Sequence, residues 1–301
     1  MFLSLMVPLD RSSFAEQALP LALSIARRAK ARLDLVEVHA LYDLEDPTAG
    51  WTPFEFDQDA ECRQQEQLYL DATAKWASSA SSVSVAASVL PGSAVLPATV
   101  ADSLLERART GKADLIVMTT HGRASLSRFG LGSVTDELIR RATIPLLLVR
   151  PSEKAPGIIP EPVVDDILIP LDGSTLAEQV LEPALELARL MEARCSLLRV
   201  VESRSPAGNG NPGEPVEKAQ AYLDGVAGRI REQGLQVRTR VVVARHAAEA
   251  ISEVAQASEL VAVATHGRGG LKRLLLGSVA DKLIQDATSP VLVYRPTDER
   301  Q

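Results

Sequence analysis

The sequence contains few aromatic residues, two cysteines and no long apolar run. Aromatic residues make up 4% of the 301 positions, so the core must be built from Ala, Leu and Val, which suits helices packed on a sheet. Cys62 and Cys195 are too few for a disulfide framework or a structural zinc site, which predicts a reduced, cytoplasmic protein. No apolar run reaches the roughly 18 residues of a membrane span, so no membrane partner is expected. The N-terminal stretch also lacks the features of a signal peptide and is predicted to form a strand.

An excess of positive charge is missing as well. The chain has 32 Lys and Arg against 39 Asp and Glu, a formal net charge of −7, so we expect no nucleic-acid partner. The sequence contains no P-loop, no H-E-x-x-H zinc motif and no G-x-S-x-G nucleophile elbow. The stretch Gly208–Gly213 matches G-x-G-x-x-G as a string, but it does not open a helix after a first strand, and we interpret it as a loop.

The chain does contain an internal repeat, which sets its domain organisation. Pro8-Leu9-Asp10 recurs 162 residues later as Pro170-Leu171-Asp172, and Thr120-His121-Gly122-Arg123 recurs 145 residues later as Thr265-His266-Gly267-Arg268. Because the offset falls by 17 residues, the first copy is longer in its middle, mainly between Leu41 and Asp57. We predict a first domain at 1–151, a linker at 152–164 and a second domain at 165–301.

Apolar runs alternate with amphipathic stretches in both copies. The predicted strands are Leu3–Leu9, Leu33–Ala40, Val83–Leu90, Leu115–Thr120 and Pro145–Val149, then Ile167–Leu171, Ser196–Val201, Val237–Val243, Leu260–Thr265 and Val291–Tyr294. Because parallel neighbours need crossover helices, this pattern predicts an α/β fold with two tandem, doubly wound, parallel five-stranded sheets.

The start of the first helix in each copy carries two local signals. Ser13-x-x-Glu16 and Thr175-x-x-Glu178 match the capping-box pattern, so we expect each helix to begin there. Pro20 and Pro183 then fall inside these helices and are expected to kink them.

The strongest candidate site follows the fourth strand of each copy. His121-Gly122 is separated by nine residues from Gly132-Ser133, and His266-Gly267 by nine residues from Gly277-Ser278. Open α/β sheets bind ligands at the carboxyl ends of strands, glycine allows close backbone approach, and a helix N-terminus favours phosphate. Turn glycines and helix caps would explain one such motif equally well. Its repetition on the same strand, loop and helix favours a binding site.

These residues resemble the universal stress protein family, and the resemblance covers nearly all of both copies. The nucleotide-binding form of that family has Gly, two residues, Gly, nine residues and then Gly-Ser or Gly-Thr. The first Gly of that pattern is replaced by Thr119 and Ala264. The resemblance implies an adenine nucleotide alpha hydrolase-like fold, an acidic site residue at Asp10 and Asp172, and an adenine contact at Val38 and Val200. The nucleotide-binding residues it implies are Pro8, Asp10, Val38, Thr119, His121, Gly122, Arg123, Gly132, Ser133 and Val134, then Pro170, Asp172, Val200, Ala264, His266, Gly267, Arg268, Gly277, Ser278 and Val279.

The function implied is that of an ATP-binding, cytoplasmic stress-response or regulatory protein with one pocket per domain. Asp10 and Asp172 are expected to accept hydrogen bonds from ribose hydroxyls or to hold a Mg²⁺ ion that binds with the nucleotide. No catalytic residue and no redox cofactor is expected, and at most slow ATP hydrolysis or autophosphorylation. His121 and His266 are interpreted as ordering the loop rather than as bases. The alternatives are a nucleotide-free protein that acts through protein contacts and, third, an ATP-using enzyme.

Two further expectations concern asymmetry and assembly. Phe129-Gly130 in the first loop stands where the second has Leu274-Leu275, so we expect unequal affinities. The apolar final strands Pro145–Val149 and Pro290–Tyr294 are expected to pair within one chain, as a pseudo-dimer with an approximate two-fold axis. The alternative is two independent domains whose edges are each covered by another chain, and a further homodimer built from such pseudo-dimers is expected as an additional level of assembly. Arg123, Arg128, Arg268, Lys272 and Arg273 add positive charge for a phosphate or form a solvated loop face.

Overall fold

The computed structural model describes residues 2–39, 53–92, 97–122, 131–152, 163–203, 216–267 and 276–297. Most of the 17-residue excess, most of the linker, the 208–213 loop and the central parts of both motif loops lie outside these residues, so Arg123, Arg268 and the other basic loop residues are not described. The chain forms two compact units, unit 1 with residues 1–138 and 151–162, and unit 2 with residues 139–150 and 163–301. The end of the first repeat therefore belongs to unit 2.

Unit 1 contains a parallel sheet in the order β3-β2-β1-β4. Its strands are β1 Ser4–Pro8, β2 Arg32–His39, β3 Val85–Pro91 and β4 Leu115–Thr119. Its helices are a 3-10 turn at Ala15–Ala18, α1 Leu19–Ala29, α2 Pro53–Ser81, α3 Pro97–Thr110 and the start of α4 Ser133–Arg141. The chain order reverses between β1 and β4, which is where open α/β sheets place their ligands.

Unit 2 contains six strands in the order β5-β10-β9-β6-β7-β8. They are β5 Leu146–Val149, β6 Asp166–Pro170, β7 Arg194–Glu202, β8 Val237–Ala244, β9 Leu260–Ala264 and β10 Val291–Tyr294. The helices are α5 Thr175–Glu178, α6 Leu181–Met191, α7 Val216–Arg231, α8 Ala247–Ala255 and α9 Ser278–Asp286. All neighbouring strands are parallel except β5 and β10. Among the helices of the described residues, none is long and apolar enough to cross a bilayer.

The final strands of the two repeats are hydrogen-bonded to each other within unit 2. β5 runs antiparallel to β10, and Leu147 lies opposite Leu292 in the register. Both side chains are fully buried. The pairing satisfies the backbone groups that β5 would otherwise expose at a sheet edge. The arrangement of the two repeats about a two-fold axis stays a prediction.

The first helix of each repeat begins differently from the capping-box prediction, which is wrong. The hydroxyl of Ser12 accepts the Ala15 N–H at 3.1 Å, and the hydroxyl of Ser174 accepts the Ala177 N–H at the same distance. The capping residue is therefore one position earlier than predicted in each copy. Ser12-x-x-Ala15 and Ser174-x-x-Ala177 lack the glutamate of the box, so the pattern selects Ser13 and Thr175, and the path of the preceding loop decides for the earlier residue.

The glutamates of the two predicted boxes have another role. Glu16 accepts the hydroxyl of Tyr69 from α2, and Glu178 accepts the hydroxyl of Tyr222 from α7, each at 2.9 Å. Burial and these hydrogen bonds raise the pKa of both tyrosines above the ordinary value. The same tyrosine–glutamate bond thus ties the first helix to the next long helix in both repeats.

The predicted kinks at Pro20 and Pro183 are also wrong. Pro20 is the second residue of α1 and Pro183 the third residue of α6, so both lie in a first turn. The N–H of a first-turn residue has no acceptor within the helix, so proline, which lacks this N–H, fits there without a kink. The chain instead breaks before each proline, into a short helical turn and a separate helix.

Replacement of Leu147 or Leu292 by alanine tests the strand register. Each change should lower the free energy of unfolding by about 2–5 kcal/mol, because both side chains are fully buried. Since the two residues face each other, the double variant should show a coupling of about 0.5–3 kcal/mol in urea denaturation. The matched control pairs Leu147→Ala with Leu197→Ala on β7, which lies four strands away in the sheet order, and whose effects should add within about 0.5 kcal/mol. Equal coupling in both pairs would contradict this register.

Candidate functional site

In both repeats an aspartate carboxylate lies directly against the first glycine of the candidate motif. Asp10 follows β1 and Asp172 follows β6. A Cβ atom built on Gly122 would lie 2.3 Å from Asp10 Oδ2, and one built on Gly267 would lie 2.2 Å from Asp172 Oδ2. Any side chain there would displace the carboxylate. These glycines therefore allow the loops after the two strands to meet.

The other oxygen of each carboxylate is held by a serine. Asp10 Oδ1 accepts the Ser12 N–H at 3.0 Å and the Ser12 hydroxyl at 2.5 Å. Asp172 Oδ1 accepts the same two groups of Ser174 at 2.9 and 2.6 Å. The serine that caps the first helix thus also orients the carboxylate. Each carboxylate is fixed from one side by this serine and faces the glycine with its second oxygen.

The second glycine of each motif also allows a close approach. Gly132 donates its N–H to the Thr120 carbonyl and Gly277 to the Thr265 carbonyl, both at 2.9 Å. A Cβ on either glycine would lie 3.0 Å from that same carbonyl oxygen. Gly277 is the N-cap of α9. The N–H groups of the first turn of α9 therefore lie next to the end of β9 and have no intrahelical partner.

The histidines hold their loops through threonines. His121 Nδ1 lies 2.9 Å from the Thr120 hydroxyl, and His266 Nδ1 lies 2.9 Å from the Thr265 hydroxyl. In the first repeat Thr119, at the position of the missing family glycine, donates its hydroxyl to the His121 carbonyl at 2.7 Å. Ala264 has no such group. Both histidines thus contact the strand end just before them, which suits an ordering role.

A cavity of about 950 Å³ lies at the carboxyl edge of the unit 2 sheet. This volume is in the range of small-molecule sites. One end is apolar, with Leu198, Val200 and Ile251. The strand order β9-β6-β7 places the start of α9, next to the end of β9, on the side away from Leu198 and Val200 of β7, with Asp172 after β6 between them. The predicted residues that line it are Pro170, Asp172, Val200, Ala264, His266, Gly267, Gly277, Ser278 and Val279.

The predicted residues of the first repeat lie at the corresponding edge of unit 1. Pro8 ends β1, Thr119 ends β4, and Ser133 and Val134 open α4. Val38, in β2, packs against Gly92, where a Cβ would lie 2.7 Å from its Cγ1 atom. Pro8 and Asp10 thus lie at or just after the end of β1, and Thr119 and Gly122 at or just after the end of β4, the two strands that flank the point where the strand order reverses.

One feature next to this edge was missed in the sequence. The residue after the aspartate has a left-handed backbone in both repeats, with φ of 63° at Arg11 and 81° at Gly173. Arg11 forms ion pairs with Glu37 at 2.9 Å and Glu66 at 3.3 Å. A left-handed conformation costs a residue with a side chain about 1–2 kcal/mol, which these ion pairs offset.

In unit 2 the arginine next to this turn belongs to strand β7 rather than to the loop. Arg199 occupies the position of Glu37, and its guanidinium lies where a side chain at Gly173 would be, 2.6 Å from a built Cβ. It also lies 5.2 Å from the centre of the Tyr222 ring. The signal was in the repeat itself, because the offset of 162 pairs Arg11 with Gly173 and Glu37 with Arg199.

The sequence also did not indicate a buried cluster in unit 1 that is centred on a histidine. His39 is 1% exposed, and its ring nitrogens lie 2.7 Å from Glu66 and 2.6 Å from Asp59. Glu66 thereby joins His39 to Arg11. The cluster connects the end of β2 with α2 and supports the loop that carries Asp10. The second repeat has Val201 at the position of His39.

The comparisons with known proteins identify the family of this chain. The sequence profile described as the universal stress protein family matches residues 1–150 and 164–295. A universal stress protein of Mycobacterium tuberculosis is 29% identical over 189 residues, which covers 62% of this chain and 63% of that protein. One from Mycolicibacterium smegmatis is 33% identical over 202 residues, covering 65% and 66%. The chain thus matches less than two thirds of the length of these relatives.

A solved structure shows the same fold over the whole chain. A universal stress protein from Archaeoglobus fulgidus superposes with a TM-score of 0.71 at 17% identity and covers 97% of this chain and 98% of its own. The repeated α/β architecture predicted from the sequence is confirmed. The chain belongs to the universal stress protein family, with one family match in each half.

Replacement of Gly267 by alanine tests the contact between glycine and carboxylate. The added Cβ would overlap Asp172 Oδ2, so we expect a loss of about 1–3 kcal/mol in the free energy of unfolding, measured with urea. The loss should be smaller when Asp172 is already alanine. Gly225→Ala on α7 is the matched control, because apart from its chain neighbours and the backbone of its own helix no atom lies within 4 Å of its built Cβ, and alanine favours helix. A Gly267→Ala variant as stable as this control would contradict the contact.

Proposed function

We propose that this protein binds an adenine nucleotide, ATP, with one pocket in each repeat, and that it acts as a cytoplasmic stress-response or regulatory protein. The observation that carries the proposal is the unit 2 cavity, which joins an apolar end to a helix N-terminus beside a fixed carboxylate. The proposal extends to the first repeat because the contacts of Asp10 with Ser12 and Gly122 match those of Asp172 with Ser174 and Gly267.

The two ends of the cavity suit the two ends of a nucleotide. Leu198, Val200 and Ile251 offer apolar contact to a purine base. The free N–H groups and the positive dipole end at the start of α9 favour phosphate. Between these ends, Asp172 has a carboxylate suited to ribose hydroxyls or to a Mg²⁺ ion that arrives with the phosphates. The distribution of apolar, anionic and N–H groups thus follows the order of base, sugar and phosphate.

Thr119 and Ala264, which stand where the family pattern has its first Gly, are compatible with nucleotide binding. Ala264 adds one methyl group to the cavity wall and is 8% exposed. Thr119 turns its hydroxyl to the His121 carbonyl, so that this polar group is already paired. Both side chains are small, and their neighbouring backbone stays close to the site.

Thr119 and Ala264 also favour a second candidate function. A universal stress protein that has lost its nucleotide and acts through protein contacts would no longer need glycine at 119 and 264. Mass spectrometry of small molecules released from freshly purified protein separates the candidates. Adenine nucleotide in the released fraction supports the first, and its absence together with no titration heat supports the second.

Titration calorimetry with ATP and Mg²⁺ tests the proposed pockets. The unchanged protein should bind two nucleotides per chain, Gly277→Val should bind one, and Gly132→Val/Gly277→Val should bind none. The reason is that each Cβ would lie 3.0 Å from the carbonyl oxygen that already accepts the N–H of the same glycine, so the start of the helix would have to shift. Gly225→Ala is the control and should bind two. Equal heats from all four proteins would remove the pocket assignment.

A further inference from the structure

Arg140 lines the cavity of unit 2, although it comes from the first repeat. It lies in the last turn of α4, just ahead of β5, in the segment 139–150 that belongs to unit 2. Among the described residues that line the cavity, Arg140 is the one lysine or arginine, and the same lining includes the carboxylates of Asp172 and Asp281. No motif of the second repeat would have indicated it.

The antiparallel pairing of β5 and β10 explains this position. Leu146, the first residue of β5, lies opposite Val293 near the end of β10. β10 is parallel to β9, with Tyr294 opposite Ala264, so the end of β10 lies at the same edge as the cavity. The helix that precedes β5 therefore ends at the carboxyl edge of the sheet. A parallel pairing would have placed it at the opposite edge.

The strand order also determines which end of the cavity Arg140 approaches. β10 is separated from β7 by β9 and β6. At about 4.8 Å per strand, three steps amount to roughly 14 Å. The apolar residues Leu198 and Val200 lie on β7, and Arg140 comes from the β10 side. Arg140 is thus placed away from the apolar end. On its side of the cavity the phosphates of a nucleotide, rather than the base, would lie.

We propose that Arg140 is a phosphate-binding residue of the second-repeat pocket and makes that pocket selective for nucleoside di- and triphosphates over nucleosides. This inference rests on the proposed function. A polyphosphate brings several negative charges next to Asp172 and Asp281, and a guanidinium offsets them while donating paired hydrogen bonds. The equivalent position of the second repeat, 145 residues on, is Gln285, which is neutral. The arginine is therefore a feature of one repeat and not of the shared motif.

The test compares ATP, AMP and adenosine in calorimetric titrations of the full chain. Arg140→Gln should weaken ATP binding at one of the two sites by about 10- to 100-fold, since it removes charge-assisted hydrogen bonds. Adenosine binding should change less than about twofold, and Arg140→Lys should keep part of the ATP affinity. Arg141→Gln is the matched control, because it removes the same charge from the same turn at a residue outside the cavity lining. It should leave all three ligands unaffected.

Further measurements separate the possible failures. In a Gly277→Val background, Arg140→Gln should cause no additional loss, because the second-repeat site is already disabled. Equal ATP affinity of Arg140→Gln and Arg141→Gln, or an equal loss of affinity for ATP and adenosine, would overturn the role of Arg140. Either result would leave the proposed function standing. If the unchanged protein binds no adenine nucleotide, the proposed function fails. Inorganic tripolyphosphate then tests Arg140 by itself: heat that is lost in Arg140→Gln supports a phosphate site, and heat that is equal or absent overturns it.

Discussion

The contact between an aspartate oxygen and a glycine backbone is the constraint on which both candidate sites depend. It brings together the loops after two adjacent parallel strands, β1 with β4 and β6 with β9. The same carboxylate holds the serine that caps the next helix. One half-buried carboxylate in each repeat therefore links the position of the motif loop to the start of the first helix. This explains why Asp, Ser and Gly recur together in the two repeats while many other residues have changed.

The residues around this contact show how a duplicated site can diverge without loss of its geometry. Both repeats keep the left-handed residue after the aspartate, but one uses Arg11 with two ion pairs and the other uses Gly173. The space left by that glycine is filled by Arg199, at the position of Glu37. An arginine thus remains next to the same turn, although it comes from another element. The backbone conformation is preserved, and the side chains around it have exchanged.

The sequence predicted the features that depend on local pattern and on repetition. Strand positions follow from apolar runs, and the motif glycines follow from their equal spacing in two copies. The helix caps were misplaced by one residue because the S/T-x-x-E pattern selects Ser13 and Thr175, whereas hydrogen bonds to Asp10 and Asp172 place Ser12 and Ser174 at the caps. Arg140 was missed for a different reason. Its place in the cavity depends on how two strands 145 residues apart pair, and no local spacing encodes that direction.

The pairing of β5 with β10 also means that a sequence repeat and a compact unit are different objects in this chain. The second repeat supplies β6 to β10, but unit 2 is completed by residues 139–150 from the first repeat. These residues cover the apolar edge of β10 and bring Arg140 to the cavity. The stability of unit 2 and the proposed phosphate contact of Arg140 therefore depend on the same short segment. A change in β5 that weakens its pairing with β10 should also move Arg140, so a loss of stability in this segment is expected to be accompanied by a loss of the proposed phosphate contact.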